Sequence, residues 1–207
     1  MKIKTKDLLL IFTRNPELGK VKTRLAKDIG AQASLDIYKF LLQHTFLVTK
    51  DLKVIKEVYY SEEIRENDLW DPAYYKKKLQ QGDDLGIRME NAIKNAIQRG
   101  FEKIVIIGSD LLDLKSIDIV AAFKRLDSSD YVIGPAQDGG YYLFGMKKLN
   151  GRIFRNKKWG TSSVFKETMD DLESQNVSLL EVRNDIDTLE DLKEFKELQH
   201  LLKQNNI

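Results

Sequence analysis

A chain of 207 residues, 42% of them hydrophobic, can bury one sizeable core, and a single domain over residues 1–207 is expected. Lysine plus arginine (34) nearly balance aspartate plus glutamate (32), so the net charge of +2 gives no overall field for binding nucleic acid or a bilayer, and any basic site must be local. The lack of cysteine excludes disulfides and thiolate zinc sites and accords with a reducing cytoplasm, where we expect the protein.

Met1 opens a segment that starts like a signal peptide, but its apolar run is only residues 8–12. No stretch approaches the ~20 apolar residues that span a bilayer, so neither export nor a membrane span is expected. Residues 7–12 read as a strand. After a polar loop with Pro16 and Gly19, Leu35, Tyr38, Leu41, Leu42 and Phe46 recur at helical spacing, predicting a helix over 33–49. A strand follows over 53–60. The pattern then blurs over 61–81, where a short helix and a weak strand are expected. Leu85, Met89, Ile93 and Ile97 form one stripe from Asp84, and Gly100 stands where a helix-terminating glycine belongs. Residues 103–107 make a compact β-branched strand, 117–126 a helix, and 131–133 the start of another strand. Residues 141–146 are also extended and lie too close to the previous strand for a parallel crossover, so Asp138-Gly139-Gly140 predicts a tight antiparallel return. A helix marked by Val164, Phe165, Met169 and Leu172, a strand over 177–182 and a last helix striped by Leu189, Leu192, Phe195 and Leu202 complete the chain, with 204–207 expected to fray. Short apolar runs alternating with amphipathic helices are the pattern of an α/β protein with a mostly parallel, mixed sheet.

Charged and glycine-rich clusters stand where the strands end, which in an open α/β sheet is the edge that forms the ligand crevice. In the first loop, Arg14, Lys20, Lys22, Arg24 and Lys27 crowd around the Gly19 turn and lead toward a helix, an arrangement suited to a diphosphate or triphosphate. A solvated basic loop accounts for the same letters. Neither a G-x-x-x-x-G-K-[ST] loop nor G-x-G-x-x-G is present. Asp110 follows a buried-type strand and is the leading metal ligand, since a hard divalent ion accepts one or two carboxylates plus substrate phosphates. Ser109 reads as a turn residue, and Asp113 reads as a helix N-cap before it reads as a ligand. Asp138 could accept from a substrate hydroxyl, with Gly139 and Gly140 letting a backbone approach closely, although a hairpin turn is the plainer reading of the same letters. Tyr141 and Tyr142 point to opposite faces, so one is core and the other is free to meet a substrate. Asp185 and Asp187 share a face in extended geometry and could complete the site begun by Asp110, while 187–190 resembles a capping box for the last helix. Trp159 reads as core or staple. His44 and His200 have no companions at ligand spacing.

Together the ordered motifs PELGKVKTRL (16–25), QGDDLGIRM (81–89), GSDLLDL (108–114), GPAQDGGYYLFG (134–145), WGTSSV (159–164) and DIDTLEDL (185–192) resemble the bacterial glycosyltransferase-like, or selenodomain-associated transferase, family of the GT-A (nucleotide-diphospho-sugar transferase) superfamily. The layout is also similar to small nucleotidyltransferases that act on molybdenum and deazaflavin cofactors. The resemblance implies a Rossmann-like GT-A fold with helices on both faces of the sheet. It further implies nucleotide phosphates at Lys22 and Arg24, Mg2+ or Mn2+ at Asp110, and support from Asp187. Two departures stand out: Leu111-Leu112 replace a usual Cys-Pro, and Ile87 replaces a glutamate. The expected activity is metal-dependent transfer from an activated nucleotide. The dense cationic loop favours nucleotidyl transfer from a nucleoside triphosphate to a small phosphorylated acceptor. The alternatives are glycosyl transfer from a nucleotide-sugar, with Asp138 as base, and non-catalytic nucleotide binding. No nucleic-acid partner is expected, and no assembly state is assigned.

Overall fold

The computed structural model describes residues 5–195 and Leu198. Seven strands form one sheet in the order β3-β2-β1-β4-β6-β5-β7. They are β1 (Asp7–Thr13), β2 (Ile55–Tyr60), β3 (Lys76–Leu79), β4 (Lys103–Gly108), β5 (Tyr131–Pro135), β6 (Tyr141–Met146) and β7 (Val177–Leu179). Only β6 runs against its neighbours, pairing antiparallel with both β4 and β5. The expected return at Asp138-Gly139-Gly140 is therefore the β5–β6 turn.

Strand alternation assigns the two faces. Leu9, Ile11, Val58, Val105, Ile107, Val132 and Leu143 pack beneath α2 (Ala31–Thr49) and α4 (Ser116–Arg125). Leu8, Leu10, Ile104, Ile106, Ile133, Phe144 and Met146 pack beneath α3 (Leu85–Gln98) and α5 (Val164–Asp171). The short α1 (Thr23–Ile29) lies beside α2, and α6 (Leu189–Glu194) joins them through Leu192, with Ile186 just before it in the same cluster. Helices thus cover both faces, as expected. Among the described residues, no helix is long and apolar enough to cross a membrane.

One expectation is corrected. No helix forms over 61–75, where Asp71-Pro72 opens a turn instead, with Tyr74 and Tyr75 N–H donating to Asp71 O at 3.0 Å. That segment is organised around aromatic burial: Trp70 and Tyr75 meet edge to face at 5.1 Å between ring centres, and both are buried. The weak strand expected there is β3, whose three lysines protect an outer sheet edge. The helix-stopping glycine after α3 is as read, with Gly100 at φ 88. Leu202, His200 and residues 204–207 lie outside the described residues.

Candidate functional site

Because β1 crosses over to β2 on one side and β4 returns on its other side, the carboxyl ends of β1 and β4 diverge into a crevice. A cleft of about 540 Å3 opens there. Its floor is held by a hydroxyl cluster. Tyr38, buried on α2, accepts from Arg14 N at 2.9 Å and lies 3.3 Å from both Thr13 Oγ1 and Ser109 Oγ, and Ser109 Oγ donates to Thr13 Oγ1 at 3.1 Å. Burial pushes the Tyr38 phenol up, so it stays a neutral clip between the two strand ends. Asn15 ties the first loop to the loop after β2, donating to Glu63 O at 2.8 Å and accepting from Glu62 N at 3.0 Å. Gln80 donates to Thr13 O at 3.1 Å and Tyr59 O at 2.9 Å, which fixes the end of β3 to the same edge.

The charged centre combines three distant segments. Lys22 Nζ donates to Asp110 Oδ2 and to Asp187 Oδ1, each at 2.9 Å. The Lys22 side chain is only 3% exposed, whereas those of Asp110 and Asp187 are 44% and 33% exposed. Burial opposes charge on Lys22, but the two carboxylates outweigh it and raise its pKa; likewise burial of Asp110 is outweighed by the Lys22 ammonium and by Arg14, which hold its carboxyl below the usual range. Arg24 reaches Asp187 at 3.5 Å and Gly160 O at 3.1 Å. Among the described residues, Asp185 carries no comparable partner: burial, then the charges of Asp187 and Asp138, push its carboxyl up to about 6 against the pull of Lys22.

The remaining residues named from sequence divide between the cleft and its frame. Arg14 and Gly140 line it, as does Asp138, whose Oδ1 accepts from Gly140 N at 2.8 Å in the turn that was the plainer reading. Gly139 is required by packing as well as conformation: at φ 87, an added Cβ would lie 2.3 Å from Ser162 O, and its own carbonyl caps Phe165 N at 2.9 Å. Gly19, at φ 75, serves the turn. Lys20 is exposed and engages Glu17 at 2.7 Å rather than the cleft, and Lys27 is exposed on α1. Asp113 is no N-cap. Its carboxylate lies 3.1 Å from Arg183, which also donates to Asp118 at 2.8 Å, because α4 starts three residues later with Asp118 capping Lys115 N. The capping box before α6 is shifted by one residue: Thr188 is the N-cap and Asp191 its partner, which leaves the Asp187 side chain to Lys22. Both tyrosines of the pair line the cleft; the Tyr142 hydroxyl is anchored on Glu181 O at 3.1 Å, and Tyr141 meets Trp159 edge to face at 6.4 Å. Trp159 packs on α3 as a staple and still lines the cleft. His44 only meets Leu114 O at 2.8 Å.

Sequence reasoning missed Tyr38, Asn15, Gln80, Arg88 and the acids Glu62, Asp83 and Asp84. Tyr38 looked like ordinary helical core, and Gln80 and Arg88 stood beside or within a motif noted for other letters. Arg88 donates to Gly82 O at 2.9 Å and faces the cleft beside Leu85 and Met89. Arg14 and Arg88 are the cleft's only lining cations among the described residues, against the acidic Glu62, Asp83, Asp84, Asp110, Asp138 and Asp185. Among the described residues, no group of three or more acidic or histidine side chains forms a cage for a metal. The donor set still fits a magnesium-like ion, which keeps several waters and needs only one or two carboxylates beside substrate phosphates. Asp110 and Asp187 already share one cation.

A family model described as "Uncharacterized protein conserved in bacteria (DUF2064)" matches residues 46–161, more than half of the chain. No curated protein matches it significantly. Among solved structures, a Desulfovibrio desulfuricans protein provisionally assigned as a nucleotide-diphospho-sugar transferase is 29% identical, over 98% of this chain and 96% of that one, with a TM-score of 0.86. A Leptospira borgpetersenii cytidylyltransferase is 15% identical over 98% and 95% of the two chains, with a TM-score of 0.54. Rv0371C of Mycobacterium tuberculosis, solved in complex with manganese, is 12% identical over 93% and 99%, with a TM-score of 0.53. The latter two share the fold.

Proposed function

The chain belongs to the DUF2064 family, and from that premise and the geometry of its cleft we propose that it is a nucleotide-dependent transferase that moves a glycosyl group from a nucleotide-sugar to an acceptor hydroxyl, with a divalent cation held at Asp110 and Asp187. The observation that carries this reading is the convergence of those two carboxylates at the switch point of the sheet, where α/β folds bind ligands. The charge inventory bears on the choice of chemistry. The basic loop that favoured a triphosphate is largely engaged elsewhere: Lys20 on Glu17, Arg24 on Asp187 and Gly160, Lys22 on the two acids. A cleft with two arginines among six acidic residues repels a phosphorylated acceptor and suits a neutral hydroxyl compound.

In this reading Arg14 and Arg88 orient the diphosphate and nucleoside portions of the donor, and Thr13, Ser109 and Tyr38 keep the floor rigid. Asp138 Oδ2, not used by the turn, accepts the acceptor's hydroxyl proton as its oxygen bonds to the sugar carbon and the nucleoside diphosphate departs. Bound at Asp110 and Asp187, the cation would neutralise charge on that diphosphate. Trp159 and Tyr141 present aromatic surface on the acceptor side and exclude water.

Nucleotidyl transfer to a phosphorylated acceptor is the second reading, favoured by the cytidylyltransferase with the same fold and by the density of the first loop. Incubation with Mn2+ and panels of nucleotide-sugars and nucleoside triphosphates separates the two. Release of a nucleoside diphosphate, lost in Asp110→Asn, is the expected result. Pyrophosphate release from a triphosphate would replace it with nucleotidyl transfer, and turnover that is equal in Asp110→Asn would remove the assigned site.

A further inference from the structure

We propose that Lys22 is a tethered cation that occupies the Asp110–Asp187 pair until a divalent ion takes its place, so that the counter-ion of the nucleotide is loaded by exchange and not into an open site. The inference rests on the metal-assisted reading above and adds a control step to it. Three features of the structure carry it.

The first is placement. The ammonium lies midway in bonding terms, 2.9 Å from one oxygen of each acid, and the acids come from segments 88 and 165 residues away in sequence. No other cation in the basic loop is so enclosed: the side chains of Lys20 and Arg24 are largely exposed, while that of Lys22 is 3% exposed. The ammonium therefore sits inward of carboxylates that still reach solvent, which lets an arriving ion approach them from outside.

The second is backbone geometry. Lys22 stands at φ 45, ψ 47, in the left-handed region that a lysine enters at a cost, at the residue that precedes α1. Its side chain caps nothing on the helix, so the conformation serves tertiary contact. The third is charge. Two carboxylates with one ammonium leave a net negative site. A divalent ion matches the acid pair better than the ammonium does, and the released ammonium, on its four-carbon stem, becomes free to meet phosphate oxygens. The same lysine thus guards the acids in the empty site and turns to the nucleotide in the filled one.

The test is Mn2+ binding measured by electron paramagnetic resonance without nucleotide, on wild type and on Lys22→Met, which keeps the length of the stem and removes the charge. Circular dichroism confirms that the variant is folded. The expected result is Mn2+ binding at least tenfold tighter in Lys22→Met, with tightening abolished by a second change, Asp110→Asn. Equal or weaker Mn2+ binding in Lys22→Met overturns the exchange. Wild-type protein supplies an independent readout: acetylation of Lys22 by acetic anhydride, followed by mass spectrometry, should be slow without metal and accelerated several-fold by saturating Mn2+. Acetylation that is unchanged by Mn2+ also overturns it. If Mn2+ binds neither protein even with a nucleoside diphosphate present, the metal-assisted reading itself fails. If Mn2+ binds through Asp110 but Lys22→Met does not tighten it, only the exchange fails.

Discussion

Gly86→Ala should lower stability and disturb the cleft together, because Gly86 is the point where α3 touches the segment that presents Trp159. A Cβ built there would lie 2.1 Å from Phe154 O and 2.6 and 2.8 Å from the Trp159 indole. Ordinary carbon contacts are about 3.5–4 Å, so the neighbouring backbone must retreat by more than ~1 Å. Overpacking of this kind costs roughly 1–3 kcal/mol. Replacing glycine in a helix returns up to about 1 kcal/mol, and less in the first turn, where Gly86 stands. The net loss is then about 1–2 kcal/mol, which for a domain of this size lowers Tm by roughly 2–8 °C. Since Trp70 is buried and Trp159 is partly exposed at the cleft, emission should shift toward the red as Trp159 is displaced while Trp70 reports an intact core. Calorimetry and fluorescence read both effects. A variant as stable as wild type, with unchanged emission, would refute the packing argument.

Gly139→Ala combines an unfavourable φ of 87 with a Cβ only 2.3 Å from Ser162 O, so a loss of about 2–4 kcal/mol is expected from thermal unfolding. An unchanged Tm would show that the β5–β6 turn can relax. Arg24→Ala should change stability by less than about 1 kcal/mol, since its 3.5 Å pair with Asp187 is formed by a guanidinium that is 60% exposed. A larger loss in chemical denaturation would mean that the Gly160 contact organises the loop. Glu57 supplies a pH test. Burial raises its pKa, but Arg99 at 2.6 and 2.7 Å, aided by Lys78, outweighs burial and sets the folded value below the ordinary one. Its contribution is therefore complete above the unfolded value near ~4.3 and is lost as pH falls through the folded one. The Tm gap between wild type and Glu57→Gln should narrow from about pH 5 to about pH 3, and a gap independent of pH would remove Glu57 from the acid response.

Local chemistry along the chain specifies the alternation of strands and helices, the β5–β6 return and the arrival of Asp110 at a strand end. Those features are encoded locally: β-branched runs such as residues 103–107 bury both faces of a strand, the stripe from Leu85 to Ile97 buries one face of a helix, and Asp-Gly-Gly admits a tight turn. Motif resemblance also singled out Lys22, Arg24, Asp110 and Asp187, which the fold brings together. Partnership was another matter. Periodicity states which side of an element is buried but not which element lies opposite, so Asp113 looked like a cap until Arg183 came to it from 70 residues away. The blurred segment 61–81 had no period because its order comes from Trp70, Tyr75, Asn15 and Gln80 gripping other parts of the chain. A dense run of basic residues likewise read as one phosphate clamp, and the tertiary structure distributed it among Glu17, Asp187 and the carboxylate pair. Charge composition is additive along the chain, whereas the pairing of each charge depends on which strand ends meet at the crevice, and that is fixed only when the sheet has assembled.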